Sequence, residues 1–188
     1  VIRTSADDAI GYIKKTMSGD VMNIKKIRVD KEGAGMGWGA VYAQYLESMD
    51  QISGQGNGLS VSRQLYKGDE ALNESAPLKV GDKITVRLTV KADRDMDFVQ
   101  IKDDRAACME PLQAVSGFRW SNGLGYYQAT KDASTQFFID QMRKGTYVIE
   151  YQVYVNRTGE YQAGIATVQS AYAPEFGGHT GGYRVMVE

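Results

Sequence analysis

Two segments of the chain alternate strictly between apolar and polar side chains. In residues 147–155 the apolar phase holds Tyr147, Ile149, Tyr151, Val153 and Val155. In residues 83–92 it holds Ile84, Val86, Leu88 and Val90. Alternation with a period of two places one side-chain type on each face of an extended strand. Both segments are therefore predicted to be β-strands with one face buried.

Shorter apolar runs between turn signals predict further strands. They lie at residues 59–66, 98–101, 135–140, 164–172 and 183–187, with polar loops predicted at 67–76, 93–97 and 114–127. Successive strands are spaced by roughly 10–15 residues, which is typical of a sandwich of antiparallel sheets. The fold class is predicted to be all-β, an antiparallel β-sandwich of the immunoglobulin-like kind.

The first part of the chain is predicted to hold extra strands and a linker. Residues 1–18 suggest no more than a short helical turn, and Met22, Ile24, Ile27 and Val29 suggest a strand. Residues 38–49 fit a helix face or a strand face, and their aromatic content after a glycine-rich bend favours a strand. The small, polar segment Ile52–Leu59 is predicted to be a linker. We therefore expect a division into residues 1–57 and a sandwich of residues 58–188.

Composition restricts the class of protein further. The 188 residues carry a net charge of −1, which argues against a nucleic-acid partner because such partners require a basic surface. No apolar run approaches the length of a membrane span. The chain begins with Val, without a basic-then-apolar leader, and we expect it to be a processed product or a fragment. The single cysteine rules out a disulfide within the chain.

Few residues are suited to catalysis or metal binding. His179 is the only histidine and lies in a glycine-rich loop, and Cys108 has small apolar neighbours, so neither a Ser/His/Asp triad nor a zinc site can be assembled. Asp93, Asp95 and Asp97 have the spacing that opens a calcium loop, but Phe98 occupies the position that requires glycine. We therefore predict no enzyme activity, no metal and no cofactor.

The polar and aromatic residues that remain are candidates for contact surfaces. The charged candidates are Asp93, Arg94, Asp95, Asp103, Asp104 and Arg105. The aromatic candidates lie in the segment SGFRWSNGLGYY and are Phe118, Trp120, Tyr126 and Tyr127. Such aromatics either form a sugar- or protein-binding patch or cover one end of the sandwich.

An ordered set of short segments resembles the C-terminal end of bacterial alpha-2-macroglobulin-like proteins, especially those of the Bacteroidetes type. The segments include GWGAVYAQY at 37–45, LKVGD at 78–82, DRDMDFV at 93–99, DRAA at 104–107, GLGYY at 123–127, TKDA at 130–133 and YAPEF at 172–176. Each is weak alone, but together they cover the chain from about Gly11 onward in the same order.

The resemblance implies a domain of a large, multi-domain protease trap in the periplasm or at the cell surface. Such proteins enclose a protease that cleaves their bait region, and many hold a reactive thioester in a helical domain. Neither a bait region nor a Cys-Gly-Glu-Gln thioester sequence is found here. The resemblance therefore implies a non-catalytic macroglobulin-like domain that packs on or gates the thioester-like helical domain. It also implies a parent anchored by lipid at its N-terminus, with target proteases as indirect partners.

Within the resemblance, residues 1–57 would finish the preceding β domain, and the charged and aromatic candidates would contact other domains of the parent chain. The alternative is a stand-alone β-sandwich of the cell envelope that binds a carbohydrate or a protein through the aromatic segment. An α-rich domain directly upstream would favour the protease trap, and glycan binding through Trp120 and Tyr127 would favour the alternative.

Overall fold

The computed structural model describes residues 14–19, 26–73 and 76–188, which fall in two compact units, residues 1–44 and 45–188. In the second unit a short 3-10 turn at Met49–Gln51 precedes the strands. The strands are β1 Gln55–Asn57, β2 Leu59–Lys67, β3 Glu70–Ala71, β4 Lys83–Ala92, β5 Met96–Asp104, β6 Met109–Pro111, β7 Gly117–Ser121, β8 Leu124–Thr130, β9 Ser134–Met142, β10 Gly145–Val155, β11 Gly159–Ala163, β12 Ala166–Ser170, β13 Gly177–His179 and β14 Tyr183–Val187.

The strands form two antiparallel layers packed face to face. One layer has the order β6-β10-β4-β2, with β3 beside β2, and the other has the order β1-β13-β12-β5-β9-β8-β7. Strands β11 and β14 pair separately as a small two-stranded sheet. The predicted all-β antiparallel sandwich is therefore confirmed. The described residues form no helix of the length and apolarity needed to cross a bilayer.

The core lies between the two layers and comes from the alternating segments. Leu88 of β4 stands directly beside Ile149 of β10, and both side chains are fully buried. They face the other layer, from which Phe137 brings its ring centroid to 5.9 Å from that of Tyr151. The two strands predicted from strict alternation have the predicted faces buried, because burial of one face is the physical cause of that pattern.

The segment predicted to be a linker connects the two layers. Strand β1 pairs with β13 in one layer, and after a bend at Gly58, where φ is +69°, the chain continues as β2 in the other. Such a bend lets one strand change sheets. Residues 55–57 therefore belong to the sandwich, and the linker prediction for this segment is wrong.

Glycines allow the backbones to approach closely at this corner. A Cβ atom added at Gly178 in β13 would lie 2.7 Å from the carbonyl oxygens of both Gln55 and Leu59. These are backbone atoms of the strand that turns the corner, so they cannot move aside as a flexible side chain could.

The loop predicted at residues 114–127 is in fact a hairpin. Strands β7 and β8 pair through a turn at Asn122 and Gly123, whose φ values are +51° and +78°. Two consecutive positive φ values characterise the type I′ turn, for which Asn-Gly is the preferred sequence. The dipeptide was the signal that the loop prediction overlooked. The short strand predicted at 98–101 is likewise longer, running from Met96 to Asp104.

The strand predicted at residues 38–49 is not formed. Residues 26–48 contain no helix or strand, and the side chains of Trp38, Tyr42 and Leu46 are at least nine-tenths exposed. A strand requires a hydrogen-bonding neighbour, and the described residues supply none to this segment. The strand predicted around Met22 is not formed at Ile27 and Val29. Met22 and Ile24 lie outside the described residues. Most of the proposed N-terminal helical turn also lies outside them.

We predict that Gly178→Ala destabilises the sandwich by about 1–3 kcal/mol, because the added methyl group meets two carbonyl oxygens that cannot yield. The matched control is Gly117→Ala in β7, where an added Cβ meets no atom within 4 Å. The control should leave stability unchanged or raise it by up to about 1 kcal/mol. Urea unfolding measures both variants, and equal stability of the two would contradict the close packing at the corner.

Candidate functional site

Four aromatic side chains lie on the outer surface of the layer that ends in β7. Phe118 and Trp120 of β7 are 80% and 77% exposed, and Phe138 of β9 is 39% exposed. Tyr127 of β8 lies between them, directly opposite Phe118 on one side and Phe138 on the other. The Phe118 and Tyr127 rings meet edge to face at 5.2 Å. This aromatic face is an exposed apolar patch at an edge of the sheet, which is typical of binding surfaces.

The indole of Trp120 lies across a glycine on this face. Gly125 stands directly opposite Trp120 in the hairpin, and a Cβ added there would lie 2.9 Å from two atoms of the indole. The ring therefore covers the bare backbone of Gly125 and leaves its other side in solvent. A flat, exposed indole held by the sheet can receive a ligand with little loss of entropy.

Tyr126, predicted to share this cluster, lies on the opposite face of β8. Its side chain is 4% exposed and its ring packs edge to face against Phe137 at 5.7 Å in the core. Neighbouring residues of a strand point to opposite faces, so Tyr126 and Tyr127 cannot both line one surface. Phe138 takes the fourth place, and sequence reasoning missed it because the contact depends on the β8–β9 register.

The charged segment before β5 is exposed and forms local bonds. Arg94 binds Asp93 at 2.8 Å and lies 4.6 Å over the Phe176 ring. The hydrogen bond from Arg94 lowers the pKa of Asp93. Asp95 accepts a hydrogen bond from the backbone N–H of Lys144 at 2.7 Å. Each carboxylate therefore has its own partner, and the described residues hold no group of three or more His, Cys, Asp or Glu side chains placed to bind a metal ion.

Asp103 occupies a different environment from its neighbours in sequence. Its side chain is 1% exposed and accepts hydrogen bonds from Arg63 Nη1 at 2.5 Å and from the Tyr151 hydroxyl at 2.7 Å. Arg63 also donates to the Gly164 carbonyl at 2.6 Å and lies 4.6 Å over the Tyr183 ring. These residues come from β2, β5, β10 and β14, so the ion pair joins both layers to the small sheet.

Burial dominates the electrostatics of this ion pair. It raises the pKa of the Asp103 carboxyl, and the Arg63 guanidinium and the Tyr151 hydroxyl offset part of the rise. For Arg63, burial acts to lower the pKa, but the Asp103 carboxylate together with Tyr183 and Tyr151 outweighs it, and the pKa is raised. The same alternation that predicts core residues places Arg63 in phase with Leu59 and Val61. That phase is the signal that could have identified a buried arginine.

Asp104 and Arg105 act locally rather than in a shared site. Asp104 pairs with Lys102 at 2.9 Å near the surface. Arg105 donates to the Thr135 hydroxyl at 2.7 Å and to the carbonyl oxygens of Asp132, at 2.8 Å, and Lys131. It thereby holds the turn between β8 and β9. The structure does not bring Asp103, Asp104 and Arg105 together as one contact surface.

Cys108 and His179, the two residues considered for nucleophilic chemistry, each lie in a structural setting. Cys108 is fully buried, and burial raises the pKa of its thiol, which disfavours the reactive thiolate. His179 lies in β13 with Nδ1 3.0 Å from the Thr180 carbonyl oxygen. It is paired between β1 and β12 as part of the sheet rather than in a free loop.

We predict that Arg63→Met destabilises the fold by about 3–5 kcal/mol, because Asp103 then stays buried without a counter-charge. The double variant Arg63→Met with Asp103→Leu should recover most of that loss, since an apolar pair replaces the ion pair. Urea unfolding of the single and double variants forms the test. A double variant no more stable than Arg63→Met would contradict the role assigned to the pair.

The raised pKa of Tyr183, in the same cluster, leads us to predict that the sandwich loses stability in alkali. Burial raises the pKa of Tyr183 to about 12, above about 10 for the unfolded chain. The unfolded state therefore loses this proton first, so stability is unaffected below about pH 10 and falls by on the order of 2 kcal/mol toward pH 12. Tyr183→Phe should reduce this fall in urea unfolding at ~pH 8 and ~11.5. Tyr154→Phe, at an exposed tyrosine, is the control and should reproduce the parent curve.

Comparison with known proteins gives one consistent family. The sequence model of the bacterial alpha-2-macroglobulin MG10 domain matches residues 58–175. Among solved structures, a mutant alpha-2-macroglobulin from Salmonella superposes with a TM-score of 0.60 at 20% identity, over 72% of this chain and 10% of that one. Trypsin-activated alpha-2-macroglobulin from Escherichia coli gives 0.61 at 15% identity, over 73% and 11%.

A further match comes from a curated protein of Dictyostelium discoideum, Circularly permutated Ras protein 2. It is 29% identical over 138 residues, which are 70% of this chain and 4% of that protein. The chain thus spans only a small part of the length of the relatives it matches. At these identities the solved structures support the sandwich fold, and the family match rests on residues 58–175.

Proposed function

Since this chain belongs to the bacterial alpha-2-macroglobulin family through its MG10 domain, we propose that it serves as a non-catalytic frame domain of a protease trap. The observation that carries the proposal is the family match over residues 58–175, together with a sandwich that superposes on alpha-2-macroglobulins. In this role the domain packs against, or gates, a thioester-like helical domain of an endopeptidase inhibitor. The Bacteroidetes-type assignment and a location in the periplasm or at the cell surface belong to the same proposal.

The placement of the polar residues supports a role without catalysis. Asp103 and Arg63 satisfy each other inside the core, Arg105 holds a turn, and Cys108 is buried. A catalytic site needs such groups converging on a cavity that a substrate can enter. Arg63 lines a cavity of about 290 Å³, but Asp103, Arg105 and Cys108 do not, so these groups do not converge on one site.

The contact with another domain is proposed at the end of the sandwich that carries Asp93, Arg94 and Asp95. Phe98 there has a φ of +52°, a conformation that costs an aromatic residue on the order of 1 kcal/mol or more. Its half-exposed ring meets the ring of Tyr172, which is 79% exposed, at 5.1 Å. A strained backbone that presents two aromatic rings beside an Asp–Arg pair has the composition of an interface centre with a polar rim.

The N-terminal unit is proposed to complete a preceding β domain. Its apolar side chains, including Trp38, Val41 and Tyr42, are exposed in a segment that forms neither helix nor strand. An extended segment with exposed aromatics gains both hydrogen bonds and burial when it joins the edge of a sheet. The division into residues 1–57 and 58–188 stands as part of this proposal, with residues 55–57 already paired in the sandwich.

The decisive experiment uses the full-length parent mixed with trypsin. We expect the enclosed protease to lose activity on a large protein substrate and to keep it on a small chromogenic peptide. The double variant Phe98→Ser with Tyr172→Ser should weaken this size-dependent protection, because it removes the apolar centre of the proposed contact. Tyr154→Ser, which removes an exposed tyrosine from the outer face of the other layer, should not.

Two results would count against the proposal. Equal activity on both substrate sizes in the wild-type parent would show that the parent is not a trap. Full protection in the Phe98 and Tyr172 double variant would show that this end of the sandwich is not the contact. Unfolding curves of the variants separate loss of contact from loss of fold.

A further inference from the structure

A row of side chains crosses the outer surface of one whole layer, from β1 to β7. Each member stands directly opposite the next in the strand register. In order they are Asn57, Gly177, Gln169, Gln100, Phe138, Tyr127 and Phe118. We call them the amide–aromatic row. With strands about 4.8 Å apart, the row is about 29 Å long and runs perpendicular to the strands.

The row contains no ionisable group with a charge at neutral pH, although 24% of the chain's residues are charged. One half offers amides, each of which carries both donors and acceptors. The other half offers exposed aromatic rings. Two charged side chains flank the row on the same face: Lys102 of β5, which is paired with Asp104, and Asp140 of β9, two residues from Phe138. The row therefore suits a ligand that is neutral, polar at its edges and apolar on its faces.

A shallow groove opens at the amide end of the row, with a volume of about 400 Å³. Its floor is formed by Gly56, Gly177 and Gly178, where the absence of side chains leaves the sheet surface low. Its walls include Gln55, Thr167 and His179, and Glu175 is the acidic residue among the lining residues.

Asn57 donates its side-chain amide to the Glu175 carbonyl at 2.8 Å, and Gln169 donates to the Pro174 carbonyl at 3.2 Å. Gln55 and Gln100 make no side-chain hydrogen bond to any residue in the part of the chain that the structure describes, so these two amides are available in full, while Gln169 keeps its side-chain oxygen as an acceptor.

The aromatic end supplies a flat apolar surface. Trp120 stands two residues from Phe118 on the same face, with its indole spread over Gly125 and its outer side exposed. Because the sheet backbone supports the ring from below, a planar apolar ligand face can stack on it without rearrangement.

We propose that this face binds a neutral, linear oligosaccharide of β-linked pyranoses. The apolar faces of the sugar rings stack on Trp120 and Phe118, while ring hydroxyls exchange hydrogen bonds with the Gln100 amide and donate to the side-chain oxygen of Gln169. The far end of the sugar chain enters the glycine-floored groove. This inference does not depend on the protease-trap role, because it uses a different surface from the Phe98–Tyr172 contact.

The composition of the row favours a sugar over a protein. Protein interfaces are enriched in Met and Arg as well as aromatics, and neither occurs in the row. Amides and aromatic rings side by side instead match the alternation of hydroxyl edges and C–H faces in a pyranose. A polyanionic sugar is disfavoured as well, since no free cation stands in the row.

The test titrates the 188-residue chain with hexamers of β-linked glucose and of β-linked N-acetylglucosamine. Two-dimensional NMR follows the side-chain amide signals of the glutamines directly. We expect saturable shifts of the Gln100 and Gln169 amide signals with at least one neutral hexamer, and no such shifts with an oligogalacturonate of equal length. Trp120→Ala should weaken binding by at least about tenfold, as expected for an aromatic at the centre of a binding site.

The matched control is Tyr172→Ala, since Tyr172 is as exposed as Trp120 but lies neither in the row nor beside Phe118 on β7. It should leave sugar affinity unchanged. Gln100→Leu, which keeps the size of the side chain and removes its hydrogen-bonding groups, should also weaken binding. All three positions are on the surface, and unfolding curves verify that each variant folds.

The proposal is overturned if neither neutral hexamer binds saturably at up to ~5 mM, a concentration that would detect even weak affinity. It is equally overturned if Trp120→Ala and Tyr172→Ala have the same effect. If the full-length parent shields Trp120 behind another of its domains, so that the fluorescence lost in the Trp120→Phe variant is inaccessible to a soluble quencher, the row is a protein interface and the sugar proposal fails.

Discussion

The buried ion pair between Arg63 and Asp103 is the interaction on which the rest of the sandwich depends. It lies where both layers and the small β11–β14 sheet meet, and Tyr151 and Gly164 complete its hydrogen bonds. Burying two charges is costly, and the cost is recovered only when geometry and hydrogen bonding are favourable. A shift of β2 against β5 would leave both charges unpaired in the core. The pair therefore disfavours alternative registers more strongly than apolar packing alone could.

The buried polar side chains hold the layers together, so the residues that are available for function lie on the surface. One end presents a strained Phe98 against Tyr172, and the outer face of one layer presents aromatic rings and amides in register. The two surfaces use different residues, although Phe98 is only two residues from Gln100 in β5. Their tests are distinguished by the variants, since Trp120 and Gln100 serve one proposal and Phe98 with Tyr172 the other.

Prediction from the sequence succeeded where the pattern is local and failed where it depends on a partner. The faces of β4 and β10 followed from alternation, and the Asn122–Gly123 turn had a recognisable signal that was overlooked. Three of the four aromatic residues predicted to cluster share one face, whereas Tyr126 faces the core and Phe138 joins Tyr127 instead. Residues 38–48 show the converse, because an aromatic-rich segment forms no strand without a neighbour to pair with.

By itself the sequence determined the fold class, the main strands and most of the core, because hydrophobic periodicity is a property of a few consecutive residues. Only the tertiary structure decided that Arg63 meets Asp103 and that the glycine-rich segment at 52–59 joins two layers. The amide–aromatic row likewise exists only once the strands from β1 to β7 are placed in register. The physical reason is that cross-strand contacts join residues far apart in the chain, and the local pattern of each strand is compatible with many partners.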